Sequence, residues 1–170
     1  LNTPVKIGKI DISMFSDFPN LAIVFTDVYV EDSHPGIYPL LTADRIAFNL
    51  NLPELWKGNY SIRGVSVEGS ETNLKINSAG KSNFSIIKKN EEAGGVVRFD
   101  LHNVSLKETI VSYQDLQARQ HHVFNSEELL ASIVVVGDLY QIEAVGDVLT
   151  EQISINNSLF LADKKFQVNV

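Results

Sequence analysis

Cysteine is absent, and the 170 residues hold one tryptophan, one methionine and five prolines. The lack of cysteine excludes a disulfide framework, a thiolate metal site and a cysteine nucleophile, and it leaves the redox compartment open. A basic balance is missing too, since 14 Lys and Arg face 21 Asp and Glu for a formal net charge of −7. That argues against nucleic acid, and against an anionic membrane surface held by bulk electrostatics, because both need clustered cations. Partners are expected to be neutral, apolar or protein. The longest apolar run, ASIVVVG at 131–137, falls far short of the roughly 20 residues of a membrane helix. No signal peptide stands at Leu1. The chain reads as a soluble piece cut from something longer, 44% hydrophobic and long enough to bury a core.

What is present is period-two alternation. In ADRIAFNLNL, Ile46, Phe48, Leu50 and Leu52 point one way while Arg45, Ala47, Asn49 and Asn51 point the other, which is a half-buried antiparallel strand. Similar runs fall at 5–14, 21–30, 59–68, 71–77, 83–87, 96–104, 109–115, 119–124, 129–136, 139–147, 151–155, 158–162 and 165–170. Such spacing predicts a mainly β fold: a curved, largely antiparallel sheet or groove with one or two short helical turns. LPELWKG supplies one turn, with Pro53 near its start and Gly58 as its stop, and NSEEL at 125–129 offers a weaker one. Trp56 in the first turn reads as a hydrophobic plug closing one end of the sheet. The charged stretch KKNEEAGG at 88–95 is an exposed loop or linker. It separates a β unit at 1–87 from a second at 96–170 that continues the same sheet, and a solvated hairpin loop is the simplest form for it.

Three segments share an odd rhythm. In FTDVYV (25–30), IRGVSV (62–67) and LHNVSL (101–106), the apolar phase slips by one residue at Asp27, Gly64 and Asn103. A one-residue slip turns the hydrophobic set onto the other face unless a bulge absorbs it, and Gly, Asn and Asp tolerate that geometry. Asp27, Gly64 and Asn103 are therefore the candidate bulges or strand bends.

Signals for chemistry are weak. AGKS at 79–82 lacks the earlier glycine of a phosphate-binding loop and reads as a turn. His121 and His122 are strand neighbours that point to opposite faces and cannot chelate one ion together, and His34 beside Asp32 has no evident partners. Glu68, Glu71, Glu91 and Glu92 read as solvating charges. No nucleophile elbow or His-Glu-x-x-His helix occurs. The expectation is a non-enzyme with no catalytic, metal or cofactor site.

The order of segments resembles the N-terminal region of AsmA-like proteins, relatives of TamB. The resemblance rests on a Phe-Pro step at Phe18 and Pro19, a D-V-x-V strand at Asp27–Val30 and an A-D-x-I strand at Ala43–Ile46. It continues through L-P-x-L-x-x-G at Leu52–Gly58, I-x-x-V-x-V-x-G at Ile62–Gly69 and G-K-x-N-F at Gly80–Phe84. It covers about half of the chain. Ala79 departs from it, because an Asp is common there in the family. The resemblance implies a periplasmic β-groove module, a parent protein anchored in the bacterial inner membrane by a helix preceding this chain, and a part in phospholipid transport and outer-membrane homeostasis. The implied partners are phospholipid or another lipid, the membrane through that absent helix, and envelope proteins; nucleic acid is not among them. On that reading Ile46, Phe48, Leu50, Leu52, Phe99 and Leu101 line an apolar groove that shelters acyl chains. The alternative is a non-conducting structural or interaction domain assisting outer-membrane assembly, in which the same residues are ordinary core.

Overall fold

The computed structural model describes residues 3–13, 20–34, 39–58, 61–84, 98–136 and 139–169. Its elements are β1 (Val5–Ser13), β2 (Asn20–Val30), β3 (Leu41–Asn51), α1 (Leu52–Trp56), β4 (Ser61–Ile76), β5 (Arg98–Asp115), β6 (Gln120–Val136), β7 (Leu139–Ile155) and β8 (Ser158–Asn169). All eight strands lie in one sheet, in sequence order. Neighbours are antiparallel except β4 and β5, which run parallel. The expected curved, mainly β architecture is thus present, and the one helix among the described residues begins where Asn51 caps the Glu54 N–H (3.1 Å).

The parallel pair corrects the hairpin expectation. A hairpin would have made β4 and β5 antiparallel, whereas the connection after Ile76 must return along the whole of β4 before β5 begins. The 88–95 stretch itself lies outside the described residues.

The sequence punctuation also means something other than turns. Runs at 59–68 and 71–77 are one strand, β4, interrupted by Gly69 at φ 58°. Runs at 96–104 and 109–115 form β5, with Glu108 at φ 49°, and those at 158–162 and 165–170 form β8, with Asp163 at φ 53°. In β6 and β7 the interruptions are register shifts, and NSEEL, expected as a helical turn, is one of them inside β6. Among the described residues, two strand-to-strand junctions are true turns. Leu116–Arg119 joins β5 to β6, and Asn156–Asn157, both with positive φ (52° and 61°), make the tight β7–β8 hairpin.

One set of interruptions falls on a single line. Between β1 and β2 the ladder pairs Ile7 with Val28 and Lys9 with Thr26, leaving Gly8 and Asp27 without ladder partners. The same gap recurs at Asp27 and Asp44, Asp44 and Gly69, Gly69 and Glu108, and Glu108 and Glu127. A crease therefore crosses six strands through Gly8, Asp27, Asp44, Gly69, Glu108 and Glu127. Asp27 (φ 53°), Gly69 and Glu108 take the left-handed backbone there. Glycine or a carboxylate occupies every position. The glycines make room for neighbours: a Cβ on Gly8 would lie 2.9 Å from Asp27 Cβ, and one on Gly69 would overlap the Asp44 carboxylate.

Gly69 is therefore required twice, by its φ and by its neighbour. Gly69→Ala should lower stability by about 2 kcal/mol in urea titration, whereas Asp27→Gly, which relieves a left-handed non-glycine residue, should leave it unchanged or slightly raised.

Candidate functional site

The crease decides which residues share a face. Along each strand the apolar set advances by two, takes one step of three at the crease, and then advances by two again. Phe25 and Val28 in β2 pair with Ile46 and Ala43 in β3, and Ile46 and Ala43 pair with Val67 and Ser70 in β4. Val67 and Ser70 pair with Leu106 and Thr109 in β5, which pair with Leu129 and Ser126 in β6. Because all the strands slip together, the apolar face survives the slip.

Two cross-strand rows on one side of the crease are apolar along almost the whole sheet. One runs Ile12–Ile23–Phe48–Val65–Val104–Ala131–Ala144 and the other Ile10–Phe25–Ile46–Val67–Leu106–Leu129–Gly146–Val168. Strands spaced about 4.8 Å apart make this band, from β1 to β7, about 29 Å long. Its bulk tapers, from Phe25 and Phe48 in an edge-on contact (5.7 Å, 78°) to Ala131, Ala144 and Gly146. At β1 it is open, with Ile10 59% and Ile12 67% exposed. In β2–β4 burial straddles the crease: Ile46 on the band and Val28, Val30, Leu40 and Ala43 across it form the buried cluster, against which Phe25, Leu41, Phe48, Val65, Val67 and Leu74 pack.

Beyond the crease the face turns partly polar. Ser70 and Thr109 are buried and joined hydroxyl to hydroxyl (3.2 Å), and buried Ser126 donates to the Asp147 carbonyl (2.8 Å). Further along, Tyr113 stacks on His122 (6.0 Å, 6°), which leans on Phe124 (6.4 Å). The reverse face carries charge. Arg45, Glu68, Lys107 and Glu128 are successive cross-strand neighbours of alternating sign, with Arg45–Glu68 at 3.1 Å and Lys107–Glu128 at 3.7 Å. Exposed pairs of this kind add little stability and serve mainly to keep that face wet.

Against this frame, Ile46 and Leu50 are buried and Phe48 is partly buried, all three on the apolar face. Leu52 opens α1 and leaves β3. Phe99 stands in register with Ile62, and so with Leu50, and Leu101 lies in β5 where the ladder is irregular; the side chains of both are outside the described set. The three phase-slip positions are not equivalent. Asp27 belongs to the crease, and its counterparts in β4 and β5 are Gly69 and Glu108. Gly64 and Asn103 face each other five residues earlier, beside a register shift. Gly64 is not left-handed; a Cβ there would come 2.9 Å from the Asn103 carbonyl oxygen, so close strand approach is what demands glycine. The β4 and β5 copies lie side by side, with Val65 on Val104, Ser66 on Ser105 and Val67 on Leu106.

Trp56 corrects its expectation outright, being 81% exposed and plugging nothing. His121 contacts Ser112 Oγ (3.3 Å) while His122 stacks on Tyr113, so the two rings engage different neighbours. AGKS lies in a turn that Asn77 organises, its Oδ1 accepting from the Ala79 and Lys81 N–H groups (3.0 and 2.9 Å). Glu68 pairs with Arg45, and Glu71 accepts from Asn73 Nδ2 (3.3 Å).

A polar knot closes the far end of the sheet, and sequence reasoning missed it. Asn83, fully buried, accepts the Lys75 N–H at Oδ1 (2.7 Å). Its Nδ2 donates to the Asn73 carbonyl (2.8 Å) and to Asp32 Oδ2 (3.0 Å). Lys75 Nζ also reaches Asp32 Oδ2 (2.9 Å), and the His34 N–H donates to Asp32 Oδ1 (2.8 Å). Burial alone would push the Asp32 carboxyl up, but the His34 N–H, Lys75 and Asn83 outweigh it and hold the group below its ordinary 3.8. The knot ties the end of β2 to β4 and to the turn after it. Among the described residues no group of three or more His, Asp or Glu is placed to hold a metal ion. Comparison with protein-family models, curated proteins and solved structures gives no match for this chain.

Asn83→Ala should cost about 3 kcal/mol, since it removes the acceptor of the Lys75 N–H, a donor to the Asn73 carbonyl and one of the three donors to the Asp32 carboxylate at once. Because the folded Asp32 value lies below the unfolded one, its contribution is fully present above about pH 4 and lost as pH falls through the folded value. Urea midpoints measured from pH 5 to pH 2 should therefore fall less steeply in Asp32→Asn than in the parent chain.

Proposed function

We propose that this chain is an AsmA-like periplasmic module of lipid handling, in which acyl chains lie along the apolar band between the crease and the α1 end of the sheet. The supporting observation is the band itself. It is continuous from β1 to β7, carries no charged side chain in either row, and lies opposite a face of alternating charges. Its length of about 29 Å compares with the roughly 30 Å hydrocarbon core of a bilayer, which two opposed acyl chains span, so a single acyl chain fits along it with room to spare. An apolar lining needs no basic cradle, which agrees with the net charge of −7. In this reading the chain assists phospholipid movement between the inner and outer membranes, it performs no covalent chemistry, and its parent protein is held at the inner membrane.

The other reading, a structural or interaction domain, draws on the β2–β4 cluster, where Ile46 on the band at 9% and Ala43 across the crease at 2% exposure are covered by the chain itself. The two readings differ in what meets Phe48 and Ile10. A photo-crosslinker at Phe48 should capture phospholipid in cells, and mass spectrometry of the purified chain should find bound lipid. Ile10→Asp, at an exposed position on the band, should reduce that lipid severalfold while leaving the thermal transition in place. Absence of captured lipid at Phe48 in a functional protein would sink the groove and leave the filled-core domain.

A further inference from the structure

Trp56 is 81% exposed on a five-residue helix at one rim of the sheet. An indole has an apolar body and one N–H donor, and such rings are normally covered in a folded chain. Nothing in β3, which carries the helix, packs over it. The described charges nearest to it along the chain include two cations: Lys57 follows directly, and Arg63 is exposed two residues into β4. Glu54 is the only carboxylate within α1, and Lys57 holds it at 2.9 Å. Around α1, Lys57 and Arg63 thus outnumber the single carboxylate Glu54, in a chain of net charge −7. Elsewhere the carboxylates of the crease and of the outer face would be repelled by phosphate.

From this juxtaposition we infer that the α1 rim is the edge by which the chain meets a phospholipid bilayer, with Trp56 seated at the headgroup level and Arg63 and Lys57 beside lipid phosphates. Aromatic rings with flanking cations favour that depth, where the ring body meets acyl carbon and the N–H stays wet. The contact does not rest on overall charge, which is unfavourable; it rests on one amphipathic ring and the few cations around it. The choice of a bilayer over a protein surface rests on the lipid-handling reading, because a band that takes up acyl chains must have a rim at the membrane that supplies them. The band runs alongside that rim, since its outer row passes through Phe48 and Val65, next to the β3–β4 connection that carries Trp56.

Trp56 is the only tryptophan, so its fluorescence reports the contact directly. The 170-residue chain is mixed with vesicles of phosphatidylethanolamine and phosphatidylglycerol, and in parallel with vesicles of phosphatidylcholine alone. With the first, emission should shift to the blue and become quenchable by brominated acyl chains, and the shift should be smaller with the second. Trp56→Ala and Arg63→Glu should each lower co-sedimentation with the anionic vesicles about tenfold, the loss expected when a partly buried indole or a phosphate contact is removed. Unchanged emission, or co-sedimentation of Trp56→Ala equal to that of the parent chain, overturns the inference. Lipid carried by the purified chain separates the two readings: bound lipid without an emission shift defeats the rim and keeps the groove, whereas a shift and co-sedimentation without bound lipid keep the rim and defeat the groove.

Discussion

The structure depends on six strands slipping phase at the same line. A bulge in one strand alone would carry that strand's apolar residues to the wrong face or break its pairing with both neighbours. Here Ile7 and Ile10, Phe25 and Val28, Ala43 and Ile46, and their partners out to Ser126 and Leu129 all take the three-residue step together. Pairing resumes on both sides, and one face stays apolar. The composition of the line follows from its geometry, because a left-handed or unpaired backbone selects glycine or a short polar side chain, and a carboxylate that stays in water cannot drift into the apolar face. Glu108, with neither glycine's freedom nor aspartate's short side chain, is the position where the shared slip prevails over local preference.

A single sheet needs other means to hold its ends, because no second sheet among the described residues supplies a core. The Asp32–Lys75–Asn83 knot does this at the far end by joining the end of β2 to β4 through bonds buried from water, where each is worth more than at the surface. At the opposite rim α1 turns the chain from β3 into β4 and leaves Trp56 outside. The alternating charges of the reverse face complete the division, keeping solvent on one side and apolar carbon on the other. Burial concentrates in β2–β4, while the band opens at β1 and becomes shallow and small-lined at β6 and β7.

The parallel contact between β4 and β5 gives the internal repeat its physical sense. Two strands with the same pattern, side by side and in register, present like residues to like residues: Val65 to Val104, Ser66 to Ser105, Val67 to Leu106, Ser70 to Thr109. Antiparallel neighbours could not match a repeated segment position for position. The parallel pair joins two four-stranded antiparallel meanders into one sheet, and it extends the apolar band across the junction without a change of face. A groove built in this way lengthens by adding strands, which suits a modular sheet better than a catalytic scaffold.

Alternation and composition determined the class of fold, the faces of β3, the short α1 with Pro53 near its start and Gly58 after its end, and the phase slip at Asp27. These are local properties, fixed by side-chain period and by which residues tolerate unusual backbone angles. The same reading placed the second and third copies of the rhythm at Gly64 and Asn103, whereas the counterparts of Asp27 are Gly69 and Glu108, because spacing along a chain does not say which positions stand opposite one another. Nor could it distinguish a kink from a turn at 69–70 or 108, place Trp56 outside rather than inside, run β4 parallel to β5, or gather Asp32, Asn73, Lys75 and Asn83. Those outcomes join residues tens of positions apart. Cross-strand register decides them, and register is a property of the assembled sheet, in which every strand must satisfy two neighbours at once.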